Sequence, residues 1–539
     1  MRNLLIISLS LLSAVSYGQS SKFKFQLGSE YELPRKTEDL AFFGDSANGI
    51  INLSLKKDEL NVIRFDPKSL NQTDDKVISL SEETKNFNSE QITSFHNGTS
   101  FWIHSDWDKE NQKELLYYDK LDVAHAKFTA TNVKINETTK IAGEGGGLMG
   151  MGGWGAMMRS MKVTGKYKYN YSADNKKLLV SYRLIPENRR DKDNYDKIGL
   201  VVYDDNLNKI WGNEFTMPYT EAIMDNSDYS VDSKGNAYML AKVYESDKRK
   251  EVDKETGKAG YHYEVLKFTK DSKEITHTSV DIGDNFIKEA SLIENPLHQM
   301  IIACTYSKKV KGNGTDGIFL AMMDQSGRIV KYKNGYYEFP LADLEKFESA
   351  RSKRKMDRKD DYEQPDLQVR DIVTSSDGSI FITCEEYHVV VNTYTDANGS
   401  TTTTYTYYYQ DILASKINAD GKFAWLRKVP KDQRGPSTAT FGFKLITDGS
   451  DYYFLYLDNR KNIDITEDDA PKSYGGGGGD VMVSKLDKDG NLTKELLFDT
   501  KDEDVKIFPT EFSQINGNQF IGRAKVRKNQ YEPLLITVN

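Results

Sequence analysis

Along most of this chain, short apolar runs alternate with clusters of turn residues, and a helical period is rare. One pattern recurs: an apolar strand, a turn rich in Asp, Asn or Gly, then a second strand. It reads VVYDDNLNKIW at 201–211, VLKFTKDSKEI at 265–275, LAMMDQSGRIV at 320–330, LASKINADGKFAW at 413–425 and MVSKLDKDGNLTKEL at 482–496. Weaker copies stand at 62–80 and 115–128. Asp, Asn and Gly supply positive φ or cap their own backbone, so each copy predicts a β-hairpin. A further strand pair precedes each hairpin, as in YSVDSKGNAYMLAKV (229–243), DIVTSSDGSIFITCEE (371–386) and FKLITDGSDYYFLYL (443–457). The repeating unit is therefore about four strands.

Units are predicted near 40–80, 89–137, 167–218, 228–283, 286–340, 367–431 and 440–500. From Asp66 to Asp487 the spacing averages about 70 residues per unit, whereas four strands and their turns need about 40–50, so the excess is inserted loop. The tail 505–539 holds three more strands, and FKFQLGSEYEL (23–33) offers one. Together they complete a further unit by joining the two ends of the chain, which removes an open sheet edge. The expected fold is all-β: a β-propeller of four-stranded blades, eight in number with seven as the alternative, closed by pairing of the N- and C-terminal strands. The strand–turn–strand copies, above all SKINADGKFAWLRKVP and SKLDKDGNL, resemble those of exported bacterial β-propeller repeat proteins over most of residues 22–539. The resemblance implies a fold and no activity.

Composition adds the compartment. Residues 1–18 read as a signal peptide: Arg2, an apolar run from Leu4 to Val15, and the small residues Ser16 and Gly18 before cleavage at Gln19. Residues 19–539 are expected to form a single propeller domain with insertions at 138–166, 341–366 and 388–410. No cysteine for lipid attachment follows the cleavage point and no later run is long enough to span a bilayer, so the mature chain is expected to be soluble and periplasmic or secreted. A net charge of −8 argues against nucleic acid as partner. The two cysteines, Cys304 and Cys384, lie in apolar strand-like runs and read as buried free thiols.

In a propeller the a–b and c–d turns share one face of the disc, and the b–c loops and d–a links share the other. The tight turns here all fall in the first class and the long connections in the second, so one face should be smooth and the other elaborate. Rigid scaffolds carry function on such loops. The segment GEGGGLMGMGGWGAMMRSM (143–161) places Met149, Met151, Trp154, Met157 and Met158 in a Gly-rich setting. Its methionines suit a plug or tether, a flexible protein contact, or Cu(I). The segment 344–366 is helix-like, with Leu341, Leu344 and Phe347 on one face, six basic residues among 351–359, and Pro365 at its end. The segment 388–410 predicts a projecting b–c hairpin around DANG. Its Tyr405, Tyr407 and Tyr409 share one strand face and could stack on carbohydrate, bind peptide or pack on a neighbouring loop. SYGGGGGD (473–480) reads as flexible linker.

Chemistry is sparse. The seven histidines form no close ligand pair, and His96 and His104 read as ordinary structural or surface residues. Asp106 and Asp108, and Asp487 and Asp489, are too little for a cation loop. No GxSxG elbow, no Walker A and no GxGxxG standing before a helix appears. No catalytic or metal residue is nominated and no cofactor is expected. The leading expectation is an exported, non-enzymatic propeller that binds a protein or carbohydrate of the cell envelope through its elaborated face. The alternatives are a hydrolase-type enzyme with its site at the axial mouth of that face, and a Met-rich metal-handling protein.

Overall fold

The recurring Asp/Asn turn is one physical device used around the whole molecule. In the computed structural model, which describes residues 23–81, 87–142, 165–187, 191–324, 327–359, 361–515 and 517–538, Asp487 is typical. Its Oδ1 accepts from the N–H groups of Asp489 (2.9 Å) and Asn491 (2.8 Å). Gly490 then donates to the Asp487 carbonyl at 2.9 Å, with φ +81°. Gly235, Gly399 and Gly421 repeat this after Asp232, Asp396 and Asn418, again at positive φ. Leu207 (φ 57°) and His298 (φ 60°) hold the same place without glycine. The predicted signal segment 1–18 and Met149, Met151, Trp154, Met157 and Met158 lie outside the described residues.

These turns fold the chain into eight antiparallel blades, each with a four-stranded core. Seven run in chain order from the axis outward, over 38–79, 88–138, 167–220, 224–280, 286–338, 367–429 and 444–499. The eighth takes its inner and middle strands from 506–538 and its outermost strand, Phe23–Leu27, from the other end of the chain. That strand pairs in continuous register with the C-terminal strand, from Phe23 opposite Val538 to Leu27 opposite Leu534. Tyr31 pairs opposite Tyr531 and extends the seam. The chain is a closed, eight-bladed β-propeller.

The core is divided in the same way. Eight clusters of buried apolar side chains each lie between two adjacent blades, and together they run around the ring. Leu179, Val202 and Trp211 of blade three, for example, meet Met224, Tyr229 and Met239 of blade four. A blade covered on both faces needs apolar residues on both sides of its central strands. This is why Met300–Ser307 and Tyr452–Asp458 are buried at every position rather than alternately. Cys304 and Cys384 are free and buried, and each faces the preceding blade. Burial pushes both thiols well above their ordinary pKa, so they pack as small apolar groups.

The inner strands carry a bulge at one common level, seen between Asp39 and Ala41, Ser89 and Gln91, Asn226 and Asp228, Ile287 and Glu289, and Val369 and Asp371. A bulge strands backbone groups. In blades five and six a threonine of the next strand answers it: Thr305 Oγ1 accepts from Glu289 N–H (3.2 Å) and Thr383 Oγ1 from Asp371 N–H (3.1 Å).

Two expectations are corrected. The basic segment is not one helix but two, α1 (Leu341–Leu344) and α2 (Ala350–Met356). They break at Phe347, which turns to φ 60°, buries its ring, and donates its N–H to the Glu467 carbonyl at 2.7 Å. A tertiary hydrogen bond to blade seven overrides the local apolar spacing. The glycine loop 473–480 is held rather than free: Tyr474 is buried in the core between blades seven and eight, and its N–H donates to Asp432 O at 2.7 Å.

Closure rests on Phe23, whose ring sits edge-on to Tyr453 at 6.3 Å inside that core. Phe23→Ala should lower unfolding stability by about 3–5 kcal/mol, read as a lower denaturant midpoint. An unchanged midpoint would mean that the seam is dispensable. The turn device is tested by a pair of substitutions. A Cβ on Gly490 would meet the Trp425 ring at 2.8 Å, whereas one on Gly399 would meet nothing within 4 Å. Gly399→Ala should cost about 1–2 kcal/mol, the left-handed backbone penalty alone. Gly490→Ala should cost clearly more, measured by the same unfolding curve.

Candidate functional site: the elaborated face and its hairpin arm

The long connections fall together. The b–c loop of blade seven, the link carrying α1 and α2, and the b–c hairpin of blade six share one end of the disc, joined by direct contacts. Lys353 of α2 reaches Asp468 at 2.8 Å, and Lys346 reaches Glu467 at 3.1 Å. Part of the basic run thus meets an acidic partner within the chain. The predicted member of this face at 143–161 lies outside the described residues.

The hairpin is the largest feature of the face. The second and third strands of blade six do not stop at the sheet but continue as one ribbon, Ile380–Thr395 and Thr401–Ile417, closed by the Asp396–Ser400 turn. Opposed pairs place Tyr387, Val389, Val391, Tyr405, Tyr407 and Tyr409 on one face, and His388, Val390, Tyr394 and Tyr408 on the other. Three of the predicted site residues therefore share a face but not an environment. Tyr405 is 43% exposed and Tyr407 is half-buried. Tyr409 belongs to the root: it packs edge-on to Tyr387 at 4.8 Å and on Phe441 at 5.8 Å, with the Arg370 guanidinium 5.7 Å from its ring centre.

Beneath the root lies a buried ionic network that sequence reasoning missed. Lys431, fully buried, sits 2.6 Å from Glu385 and donates to Tyr409 O and Gln433 Oε1. Arg370 binds the other Glu385 oxygen at 2.7 Å. Lys428, also buried, lies 2.8 Å from Glu348, 3.0 Å from Asp411 and 3.1 Å from the Leu344 carbonyl of α1. Its carboxylate partners come from residues 80 and 17 positions away, so no local motif announces them.

Glu348, Glu386 and Asp411 each offer an oxygen within 4.8 Å of the others, the spacing of a metal cage. The Lys428 ammonium already fills the cage as an internal cation, and Glu386 is further engaged by Gln364 Nε2 at 2.7 Å. Desolvation pushes Glu386 up to about 8 even with Lys428 nearby, and the adjoining carboxylates add to the rise. The arrangement suits a clamp between link and blade rather than a metal.

On the axis, at the tight-turn end of the disc, a cavity of about 350 Å³ is lined by Asn170, Asp228, Ser230, Glu294 and Thr374 among others. Burial raises Asp228 to about 6. Both its oxygens are engaged: Oδ2 accepts from Leu292 N–H of the next blade at 2.8 Å, and Oδ1 from Tyr229 N–H. Glu294 takes the N–H and hydroxyl of Ser233 and the N–H of Ala173, tying blades three, four and five together. The remaining sequence candidates are structural. His104 is buried against Asp119 (3.1 Å) and stacks on Phe87. Asp106 accepts from the N–H of Trp107 beside it in the strand, and Asp108 from the N–H groups of Glu110 and Asn111 in the turn that follows.

No family profile matches the chain, and no curated protein is similar to it in sequence. Among solved structures it is similar to the propeller domain of the Trilobed protease from Pyrococcus furiosus (10% identity, 87% of this chain and 98% of that one, TM-score 0.33). It is also similar to NanB sialidase from Streptococcus pneumoniae (8%, 96% and 95%, TM-score 0.33). Against Pyrococcus horikoshii acylaminoacyl peptidase it has 9% identity and covers 92% of its own length, but only 57% of that chain, at TM-score 0.34. The propeller assignment rests on the sheet topology given above.

Glu386 supplies a test of the clamp with a defined sign. Its folded pKa, near 8, lies above the ordinary 4.5, so the folded chain keeps a proton that the unfolded chain releases. That contribution lowers stability as pH rises from about 4.5 to about 8. Glu386→Gln keeps the acceptor for Gln364 and removes the titration. The variant should match the parent near pH 4.5 and be more stable above pH 8 in thermal melts. Parallel curves for the two proteins across this range would refute the assignment.

Proposed function

We propose that this protein is an exported, non-enzymatic propeller that binds a protein or glycan partner through its elaborated face, with the blade-six hairpin as the contact element. One observation carries the reading. Nine large apolar side chains are exposed among the described residues, and four of them, Val390, Val391, Tyr394 and Tyr405, stand on this hairpin. Val391 and Tyr405 oppose each other on one face of the arm and Val390 and Tyr394 stand on the other, so the exposed apolar surface is concentrated on one projecting element. Such concentration marks an interaction site, whereas single residues scattered elsewhere do not. Tyrosine and threonine together suit uncharged hydroxyl-rich or peptide surfaces, since aromatic rings offer stacking faces and hydroxyls both donate and accept.

The enzyme reading has its own support in the axial cavity with Asp228 at about 6. The binding reading is favoured because the carboxylates there are taken up by backbone groups of neighbouring blades. Among the described residues no helix is long and apolar enough to cross a membrane. Export itself rests on residues 1–18.

The test compares the chain from Gln19 with a Tyr405→Ser, Tyr407→Ser double variant and with Asp228→Asn. Immobilised envelope polysaccharides and envelope proteins serve as ligands. The double variant should bind at least tenfold more weakly while melting as the parent does, and Asp228→Asn should bind normally. Unaltered binding by the double variant, or hydrolysis abolished by Asp228→Asn, would move the function to the axis.

A further inference from the structure

The face of the hairpin suggests a partner, but its edges make a separate statement. From Tyr387 opposite Tyr409 to Thr395 opposite Thr401, the two strands pair without a break in register. The inner strand of blade six pairs with this ribbon only as far as Glu386. On the other edge, the strand Gln433–Gly435 covers only Tyr407–Tyr409. Among the described residues no strand pairs with the outer edge of Val389–Thr395 or of Thr401–Thr406. The arm therefore reaches roughly 25 Å beyond the blade, at about 3.3 Å per residue.

The direction of the edge groups follows from two hydrogen bonds. Tyr387 N–H points out of the ribbon, to Asp366 O at 2.8 Å. Asp396 N–H points inward, to Ser400 O at 2.9 Å. Backbone groups alternate sides along a strand. The N–H and C=O groups of Val389, Val391, Thr393 and Thr395 consequently face outward.

Natural sheets protect such edges with lysine, proline, bulges or inward charges. This one has none of them. Between Tyr387 and Tyr409 the only carboxylate is Asp396, at the turn, and there is no Lys, Arg, Glu or Pro. The chain as a whole is 29% charged. A charged partner strand would gain no ion pair on this edge and would lose hydration beside Val390, Val391 and Tyr394, which are 37%, 53% and 70% exposed. The same strand of another copy is uncharged over this whole length and so meets that condition. Two chains of net charge −8 repel, but an arm of roughly 25 Å holds the discs well beyond the screening length of about 8 Å at physiological salt.

We propose that two copies of this chain associate through their arms, with the Val389–Thr395 edges pairing antiparallel about a two-fold axis. The pair of ribbons becomes one four-stranded sheet, an isologous and closed arrangement at that edge. The rows Val389, Val391, Tyr405 and Tyr407 of the two copies then lie on a single sheet. This association does not depend on the binding role proposed above.

Sedimentation of the chain from Gln19 over a wide concentration range tests it. The expected result is a reversible monomer–dimer equilibrium. Thr393→Pro removes an outward N–H and leaves every backbone bond inside the ribbon, losing only the hydroxyl contact of Thr393 with Thr403 (3.4 Å), and Val391→Lys adds the missing edge charge. Each should weaken association at least tenfold, with far-ultraviolet circular dichroism and melting unchanged. Val77→Lys, at an exposed valine on the outer strand of blade one, should leave association as it was. Because Cys304 and Cys384 are buried, mild oxidation of Asn392→Cys, at the exposed position that opposes itself across the two-fold axis, should yield a covalent dimer through the new thiol alone. A chain monomeric at every concentration, or a dimer indifferent to both arm variants, would overturn the proposal. A monomer that still binds glycan or protein through Tyr405 and Tyr407 would overturn the dimer and leave the binding role standing.

Discussion

Every blade of this molecule is buried on both faces, and from that constraint the rest follows. A sheet with two apolar faces needs two neighbours, so a row of such sheets is satisfied only when its ends meet. Burying one Leu, Ile or Phe side chain is worth roughly 1.5–3 kcal/mol, and each of the eight interblade clusters holds many of them. An open ring would return two of these faces to water. The chain avoids this by using Phe23–Leu27 as the last strand of the blade that residues 506–538 begin. Blade eight therefore completes only when both ends of the chain are in place.

Local devices then divide the two ends of the disc. Tight Asp/Asn turns with a left-handed fourth residue close the hairpins at one end and leave no room for elaboration there. The carboxylates at that end, such as Glu294, are consumed in joining blades. At the other end the b–c and d–a connections have no such length limit. They carry α1 and α2, the blade-seven loop and the arm. Their docking on one another, through Phe347, Lys353 and Tyr474, explains why a glycine-rich loop and a broken helix are ordered there.

The arm and its foundation have opposite characters. Below the disc surface, Arg370, Lys428 and Lys431 are held among Glu348, Glu385, Glu386 and Asp411. Buried ion pairs of this sort add little net stability, because desolvation offsets the attraction, but removing one partner leaves a charge stranded. They determine where the ribbon leaves the blade: Lys431 grips the carbonyl of Tyr409 and Lys428 the carbonyl of Leu344. Above that level the ribbon is uncharged apart from its turn.

The repeat, its strand count and its closure were legible in the sequence because they depend on local rules. Apolar strands, Asp-x-x-Gly turns, and three strands left over at one terminus with one at the other are short-range signals, and eight four-stranded units with N- to C-terminal pairing follow from them. The facing of Tyr405, Tyr407 and Tyr409 was legible too, since side chains alternate along a strand whatever surrounds it. Tertiary structure alone decided that Tyr409 is a root and Tyr405 a surface residue, because that depends on Phe441 and Arg370 from other segments. It alone broke the helix at Phe347, through a hydrogen bond to a residue 120 positions away. It alone assembled the cage around Lys428, whose carboxylates lie far apart in the chain and carry no periodicity. Local periodicity reports what each residue does to its neighbours in sequence, whereas burial and charge pairing depend on neighbours in space, which only the closed ring supplies.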